Sequence, residues 1–497
     1  MKNVFEKISL DGKTIILIIA CFVIVFLTRQ IFGLTPWYIA IPVYVSMFFL
    51  SLFRPRAGIF AVVVLTILFE RFFTLEGFQF GRDIIKIYPI DIIITGIYTH
   101  ILFFFLSGKF KNILSKSSFD QYIFIFFFIL TTLYFLTSFF GFGEQSVATA
   151  FSTWKNYVFY GLFIFIFPIF LNTKENIVVF LKYFFAASMI GIVFLIIGFV
   201  RGEGLWTEYT PLSTEGVRFL AFPHAFYFSL AFLSLFVTAR FWSSGKYFVL
   251  FLITFLFFGI GTVVSLMRHM WIGMVFSLGF AFLFLFDHFH RATALRMTGV
   301  IFGCVGLFLT AALFLATLFP TQSLSRTVND MRFVVVERII SIGNTGDESI
   351  SWRGSTWKSA MDSIQGKLLF GTGLGLHIPV ESGTYRDFVE VRNIHNSWLA
   401  LLVQMGCVGF FAFALGVFVL WYKLFRLMAQ GSFMVGMRNI CLTLSVYFFV
   451  VFLAQPYLET NLMSIFFWSV LGMTKSILLI AKYEGQKNDK PQSTLIV

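Results

Sequence analysis

TIILIIACFVIVFLTRQIF, residues 14–32, holds nineteen residues with a single charge, Arg29, near its end. As a helix it is long enough to cross the roughly 30 Å hydrocarbon core of a bilayer. It is basic-flanked like a signal peptide, but it lacks a small-residue cleavage site and a second apolar run starts almost at once at Pro36. It therefore reads as a retained first membrane helix. Comparable runs begin near Ala57, Ile87, Tyr122, Tyr157, Ile177, Phe219, Tyr247, Met270, Met297, Trp398, Ile440 and Leu462, those at Ala57 and Tyr157 being short. In lipid every backbone polar group must be satisfied within its own segment, so the expected fold is all-α, a polytopic membrane bundle of about fourteen transmembrane helices.

Composition agrees. The 497 residues are 58% hydrophobic and 12% charged, more apolar surface than a soluble core of this size could hide. The formal charge of +13 could point to nucleic acid, but its distribution does not. Counted from a cytoplasmic amino terminus, nineteen Lys and Arg fall on inner segments and eight on short outer segments and outer helix ends, Lys155 among the latter. That is the positive-inside pattern of a multi-pass protein of the bacterial inner membrane with both termini cytoplasmic; no nucleic-acid partner is implied. Cys21, Cys304, Cys407 and Cys441 lie in or beside apolar runs without metal-ligand spacing, so neither a disulfide framework nor a metal site is expected.

One connection differs in kind. Residues 1–319 would hold helices one to eleven and residues 395–497 helices twelve to fourteen with a cytoplasmic tail. Between them residues 320–394 leave the membrane, with eight basic and eight acidic residues, as a folded extracytoplasmic loop. Within it Ser351 to Ile364 reads as a short amphipathic helix burying Trp352, Met361 and Ile364, followed by the glycine turn Phe370 to Gly375. The glycines of GTGLG follow no strand and precede no Lys-Ser or Lys-Thr pair, so nucleotide-driven work is not expected.

Ionisable groups at the outer boundary are costly to desolvate and therefore informative. Arg268 sits in SLMRHMW between two apolar runs with no loop to hold it in water; a tight turn with a snorkelling arginine is the alternative. Arg218 opens the eighth helix, where Glu215 could pair with it, and Arg353 lies in SWRGSTW on the loop helix. His395 closes the loop in NIHNSWLALL, with Asn396 and Ser397 available to cap the next helix. Guanidiniums grip phosphate oxygens with paired hydrogen bonds and steady the charge on a departing diphosphate. An imidazole among such cations stays neutral and can accept a proton from a sugar hydroxyl. Asp91, in YPIDIII, could bind substrate or pair with Arg82 or Lys86, the pairing being preferred. His288 and His290 lie in a basic turn and read as solvated.

RNIHNSWLALLVQMGCVG (392–409) resembles the signature of the O-antigen ligase and polymerase superfamily, in which His-Asn opens a helix and spaced glycines follow. SWRGSTWKSAMDSIQGKLLFGTGLG (351–375), GVRFLAFPHAFYFSLAFL (216–233) and SLMRHMWIGMVF (265–276) resemble its loop helix with a Phe-Gly-x-Gly turn and its arginine-bearing segments. Gln404 stands where the family often has Glu, Leu369 where Pro is frequent, and Met267 where Ser usually precedes the arginine. The resemblance implies a glycosyltransferase of the outer leaflet that needs neither metal, ATP nor other cofactor. Its partners would be an undecaprenyl-diphosphate-linked glycan donor, a glycan acceptor, the bilayer, and polysaccharide chain-length or export proteins. By position Arg268, Arg353 and His395 take the catalytic roles. Arg218 is a further phosphate ligand, and Asn396 and Asp91 are the remaining substrate-binding candidates. Polymerisation of repeat units is preferred to ligation onto lipid A core. A flippase for lipid-linked oligosaccharide is the alternative of a different class. It should show paired halves and would not need a loop of this size.

Overall fold

The computed structural model describes residues 2–32, 36–69, 78–80, 83–85, 87–108, 119–140, 146–201, 222–242, 248–264, 267–288, 290–296, 299, 303, 348–375, 377–378, 394–459 and 463–488. It is a helix bundle. In chain order come α1 (Lys2–Phe32), α2 (Trp37–Phe53), α3 (Pro55–Phe69), a hairpin of β1 (Phe78–Phe80) and β2 (Asp83–Ile85), α4 (Pro89–Leu106) and α5 (Phe119–Phe139). Then follow α6 (Val147–Trp154), a π-helical turn (Lys155–Phe159), α7 (Phe163–Phe170), α8 (Lys174–Arg201), α9 (Phe222–Trp242), α10 (Phe248–Val264) and α11 (Arg268–Phe280). The last four are α12 (Glu348–Ser363), α13 (Ser397–Phe425), α14 (Gly431–Val451) and α15 (Met463–Asn488). The hairpin pairs Phe78 with Ile85 in antiparallel register and is a small departure from the helical pattern of the described residues.

Among the described residues nine helical segments are long and apolar enough to cross a membrane, joined by four shorter apolar helices. Each expected apolar run except the one at Met297 has a described helix; that run, apart from residues 299 and 303, and Pro320 to Asp347 lie outside the described residues. The run placed at Tyr157 is corrected: its helical segment begins ten residues earlier, at Val147. The polar stretch STWKN lowers hydropathy there although its Thr153, Lys155 and Asn156 side chains are buried. Lys155, counted above with the outer charges, accordingly lies inside a helical segment.

Lipid tails are as apolar as leucine, so packing and polar contacts rather than water exclusion hold such helices together. Among the nine long segments α15 is the most enclosed, with 83% of its apolar window buried against 28% for α5. Its Trp468 is enclosed by Phe124, Phe128, Phe413 and Phe467, while Phe103, Phe126, Phe276 and Phe418 face outward. Phenylalanine thus fills the interior and coats the surface alike. Asp120 of α5 pairs with Lys423 of α13 and, at 3.2 Å, with Lys475 of α15, clamping three helices. Close approach of α2 and α4 depends on Gly96, where a Cβ would lie 2.1 Å from Ser51 Oγ.

Candidate functional site

The amino terminus of α13 is built by three consecutive residues with separate tasks. Asn396 caps the helix, its side chain accepting from the Leu399 amide at 3.0 Å. Ser397 is buried and ties the helix start to the connection between α14 and α15. Its amide donates to Phe452 O at 2.7 Å, its hydroxyl donates to Gln455 O at 2.8 Å, and that hydroxyl accepts from the Leu458 amide at 3.3 Å. His395, between buried Ile394 and the cap, has φ +54°, a left-handed conformation that a non-glycine residue adopts at some cost. This twist directs the imidazole onto two partners. Nδ1 lies 3.0 Å from Gln455 Oε1, and the ring meets Trp352 edge-on at 5.1 Å between centroids.

Trp352 comes from α12, which packs on this corner through a small core of its own: Ala360, Ile364, Ile378, Ile394, Ala400 and Val403, with Trp357 at its edge. Trp357 Nε1 donates to Ile394 O at 2.9 Å, so the loop helix and the residue before His395 are joined directly. Of the positions expected to be buried, Ile364 is and Trp352 is half-buried, but Met361 is 45% exposed. The buried stripe runs one residue earlier, through Ala360, because the helix meets α13 with a face rotated toward Trp357. Arg353 is half-buried and close enough for its charge to act on His395. Burial first, and that guanidinium second, push the imidazole down to about 4, with the Gln455 hydrogen bond opposing them.

Arg268 is the first residue of α11, and half-buried. A cation there adds to the positive end of the helix dipole, which favours an anion nearby. The next residue, His269, is buried and its Nε2 lies 2.5 Å from the Tyr457 hydroxyl. Tyr457 is two residues from Gln455. The 452–459 connection thus joins the Arg268 corner to the His395 corner, and Arg353 approaches from the α12 side.

The glycine turn forms the floor. α13 breaks at Gly406 (φ +61°), and residues 368–373 replace the interrupted helix bonds. Thr372 and Gly373 amides donate to Val403 O and Gln404 O at 2.8 and 3.0 Å, while Cys407 and Val408 amides donate to Leu368 O and Leu369 O at 2.9 and 3.2 Å. A side chain at Gly406 would meet Leu369 O at 2.4 Å, and one at Gly371 (φ +74°) would meet Gly406 N at 2.5 Å. Two glycines are needed because two backbones touch. Tyr134 of α5 donates to Phe370 O, and His377 Nε2 lies 3.1 Å from Thr149 Oγ1 of α6.

Beneath this floor lies a buried carboxylate, Glu459, which no pattern in the sequence singled out. Gln404 Nε2 and the Tyr157 hydroxyl donate to its Oε1, the latter at 3.2 Å, and Asn156 Nδ2 donates to its backbone oxygen at 2.9 Å. Asn156 and Tyr157 come from the π-helical turn, whose extra residue puts Lys155 and Asn156 both inward. Lys155 meets Asp91 there. Asp91 Oδ2 accepts from Lys155 Nζ and from the Tyr88 amide, each at 2.8 Å, and Oδ1 accepts from the Tyr160 hydroxyl at 2.6 Å. The preferred pairing with Arg82 or Lys86 falls on residues outside the described ones; among the described residues the ion-pair partner of Asp91 is Lys155. With both oxygens engaged in a buried network, Asp91 holds α4 to the π turn.

Of the candidates read from sequence, His395, Arg353 and Asn396 share one corner, and Arg268 joins them through the 452–459 connection. Asp91 is held instead by Lys155, Tyr88 and Tyr160; Arg218 with Glu215 lies outside the described residues. Gln455, Tyr457 and Glu459 escaped notice; the one signal was a polar string, QPYLETN, between two apolar runs. His290, read as solvated, is buried and 3.2 Å from Asp287. A separate apolar cavity of about 650 Å³, bordered by Lys182, Thr238, Phe251 and Phe433 between α8, α9, α10 and α14, includes none of these residues.

Residues 251–414 match the family model described as O-antigen ligase. The matched segment contains Arg268, Arg353 and His395 and supports the resemblance to the O-antigen ligase and polymerase superfamily. No curated protein matches the chain.

Proposed function

From that family match we propose that this protein is a glycosyltransferase that polymerises undecaprenyl-diphosphate-linked oligosaccharide units into a surface polysaccharide on the outer face of the cytoplasmic membrane. The observation carrying this reading is a neutral, partly enclosed imidazole with one guanidinium beside it and a second at the other end of the same backbone connection. In the reaction an acceptor hydroxyl attacks the anomeric carbon of the donor glycan. The new C–O bond forms as the bond from that carbon to the diphosphate oxygen breaks. His395 takes the hydroxyl proton, and Arg268 and Arg353 hold the diphosphate as it leaves with the bond pair. Arg218 and Asn396 are proposed to contribute to the donor site, Asn396 through its fixed place beside His395.

An imidazole titrating near 4 is a weak base in the free enzyme. Donor binding corrects this, because the diphosphate charge offsets Arg353 and raises the proton affinity of His395 in the complex. The test uses purified protein, synthetic undecaprenyl-diphosphate repeat units, and neither ATP nor metal. Wild type is expected to lengthen chains, while His395→Ala and Arg268→Ala, inserted normally, accumulate single units. Transfer only to lipid A core would make the protein a ligase. Unchanged chain length with movement of the glycan across a liposome bilayer would replace the enzyme by a flippase.

A further inference from the structure

The reaction just proposed needs His395 to be neutral and also in one of its two neutral forms. A general base must present a lone pair where the acceptor hydroxyl sits, so the single proton of neutral imidazole has to be held on the other nitrogen. The partner of Nδ1 is the side-chain oxygen of Gln455, 3.0 Å away. An amide oxygen accepts and cannot donate, so Nδ1 carries the proton and Nε2 carries the lone pair. We propose that Gln455 is a positioning residue that fixes His395 in the Nδ1–H tautomer and leaves Nε2 as the proton acceptor.

The surroundings make this selection rigid. Gln455 is not on a free loop: its amide donates to Val451 O at 3.1 Å and its carbonyl accepts from Ser397, two residues beyond His395. One buried serine therefore registers both members of the His–Gln pair against each other. Trp352 closes the imidazole from the side at 5.1 Å, opposing ring rotation. Of the charged groups on the elements around it, Arg353 on α12 acts on the imidazole. Glu459, on the same connection as Gln455, is turned away to Gln404 and Tyr157, and α13 carries no charged residue before Lys423. A neutral amide suits this place. A carboxylate there would also hold the Nδ1 proton but would draw a second proton onto Nε2, whereas an amide orients the ring without adding charge.

The inference rests on the transfer reaction for its meaning, yet it can be tested without that reaction. Full-length protein labelled with ¹⁵N-histidine is placed in lipid nanodiscs, and His395 is identified by the signals lost in His395→Gln. At neutral pH the expected spectrum has a protonated Nδ1 and an unprotonated Nε2, with exchange between tautomers appearing in Gln455→Leu. A protonated Nε2 in wild type, or a Gln455→Leu spectrum identical to wild type, overturns the proposal. Gln455→Glu, which preserves shape, gives a second reading: His395 should titrate at least about one pH unit higher, as an adjacent carboxylate requires. No shift in that variant also overturns it. If the spectra behave as expected while no glycan is transferred, the tautomer assignment stands and the proposed reaction falls. The converse outcome separates them equally.

Discussion

His395 combines a left-handed backbone, a half-buried ring and a cationic neighbour, each of which costs stability, and together they hold a neutral imidazole in one place. The pH dependence follows from the sign of the shift. Burial and Arg353 lower the imidazole to about 4, so the base is lost only as pH falls through that value, and kcat/KM should stay level from neutrality down to the region just above it. The acid limb of kcat, which reports the complex, should lie at higher pH because bound diphosphate offsets Arg353. Arg353→Gln removes a positive neighbour and should move the kcat/KM limb upward whatever it does to the rate; an unmoved limb would mean that Arg353 does not act on His395. His395, Arg353 and Arg268 were legible in the sequence because charge at an apolar boundary conflicts with its surroundings. Gln455 was not, since its role depends on a contact across sixty positions and an uncharged amide between two apolar runs conflicts with nothing.

At the scale of elements, the decisive feature is the break in α13. The string VQMGCVG contains no proline, and in isolation it continues a helix. The break exists because residues 368–373 supply the donors and acceptors that the helix gives up, a compensation invisible without the second strand of backbone. Gly406→Ala introduces a Cβ at positive φ and against Leu369 O, and should destabilise the protein by about 1–3 kcal/mol. Thermal unfolding in detergent should show a lower Tm for this variant. Gly279→Ala, where a Cβ meets nothing within 4 Å, serves as the control and should leave Tm unchanged or slightly raised. Equal Tm values for Gly406→Ala and wild type would show that the loop does not hold the break. The glycine turn was readable as a turn; that it repairs a helix was not. The loop helix was likewise legible, but its buried face was misread at Met361 because the stripe is set by how α12 meets α13, not by α12 alone.

At the scale of the whole molecule, apolar run length located the helices well, since in lipid length and hydropathy carry most of the constraint. It failed where polar groups are satisfied inside the bundle. Lys155 and Asn156 lower hydropathy at the start of a helix that nonetheless contains them, because Asp91 and Glu459 lie opposite. Breaking that arrangement from one side should be costly: Asp91→Asn removes a buried carboxylate paired with Lys155 and should lose about 3–5 kcal/mol. The double variant Asp91→Leu with Lys155→Met should recover most of that loss and retain glycan transfer. Loss of transfer in a stable double variant would return Asp91 to the substrate. The proposed site, with one diphosphate between Arg268 and Arg353 and His395 beside it, is tested by a cryo-EM structure of the protein in nanodiscs with a non-reacting undecaprenyl-diphosphate glycan analogue. The diphosphate is expected between Arg268 and Arg353, within about 3 Å of guanidinium nitrogens, with the anomeric carbon facing His395 Nε2. A diphosphate held elsewhere, for instance at the apolar cavity beside Lys182, or Arg268 and His395 more than about 15 Å apart with the analogue bound, would contradict it.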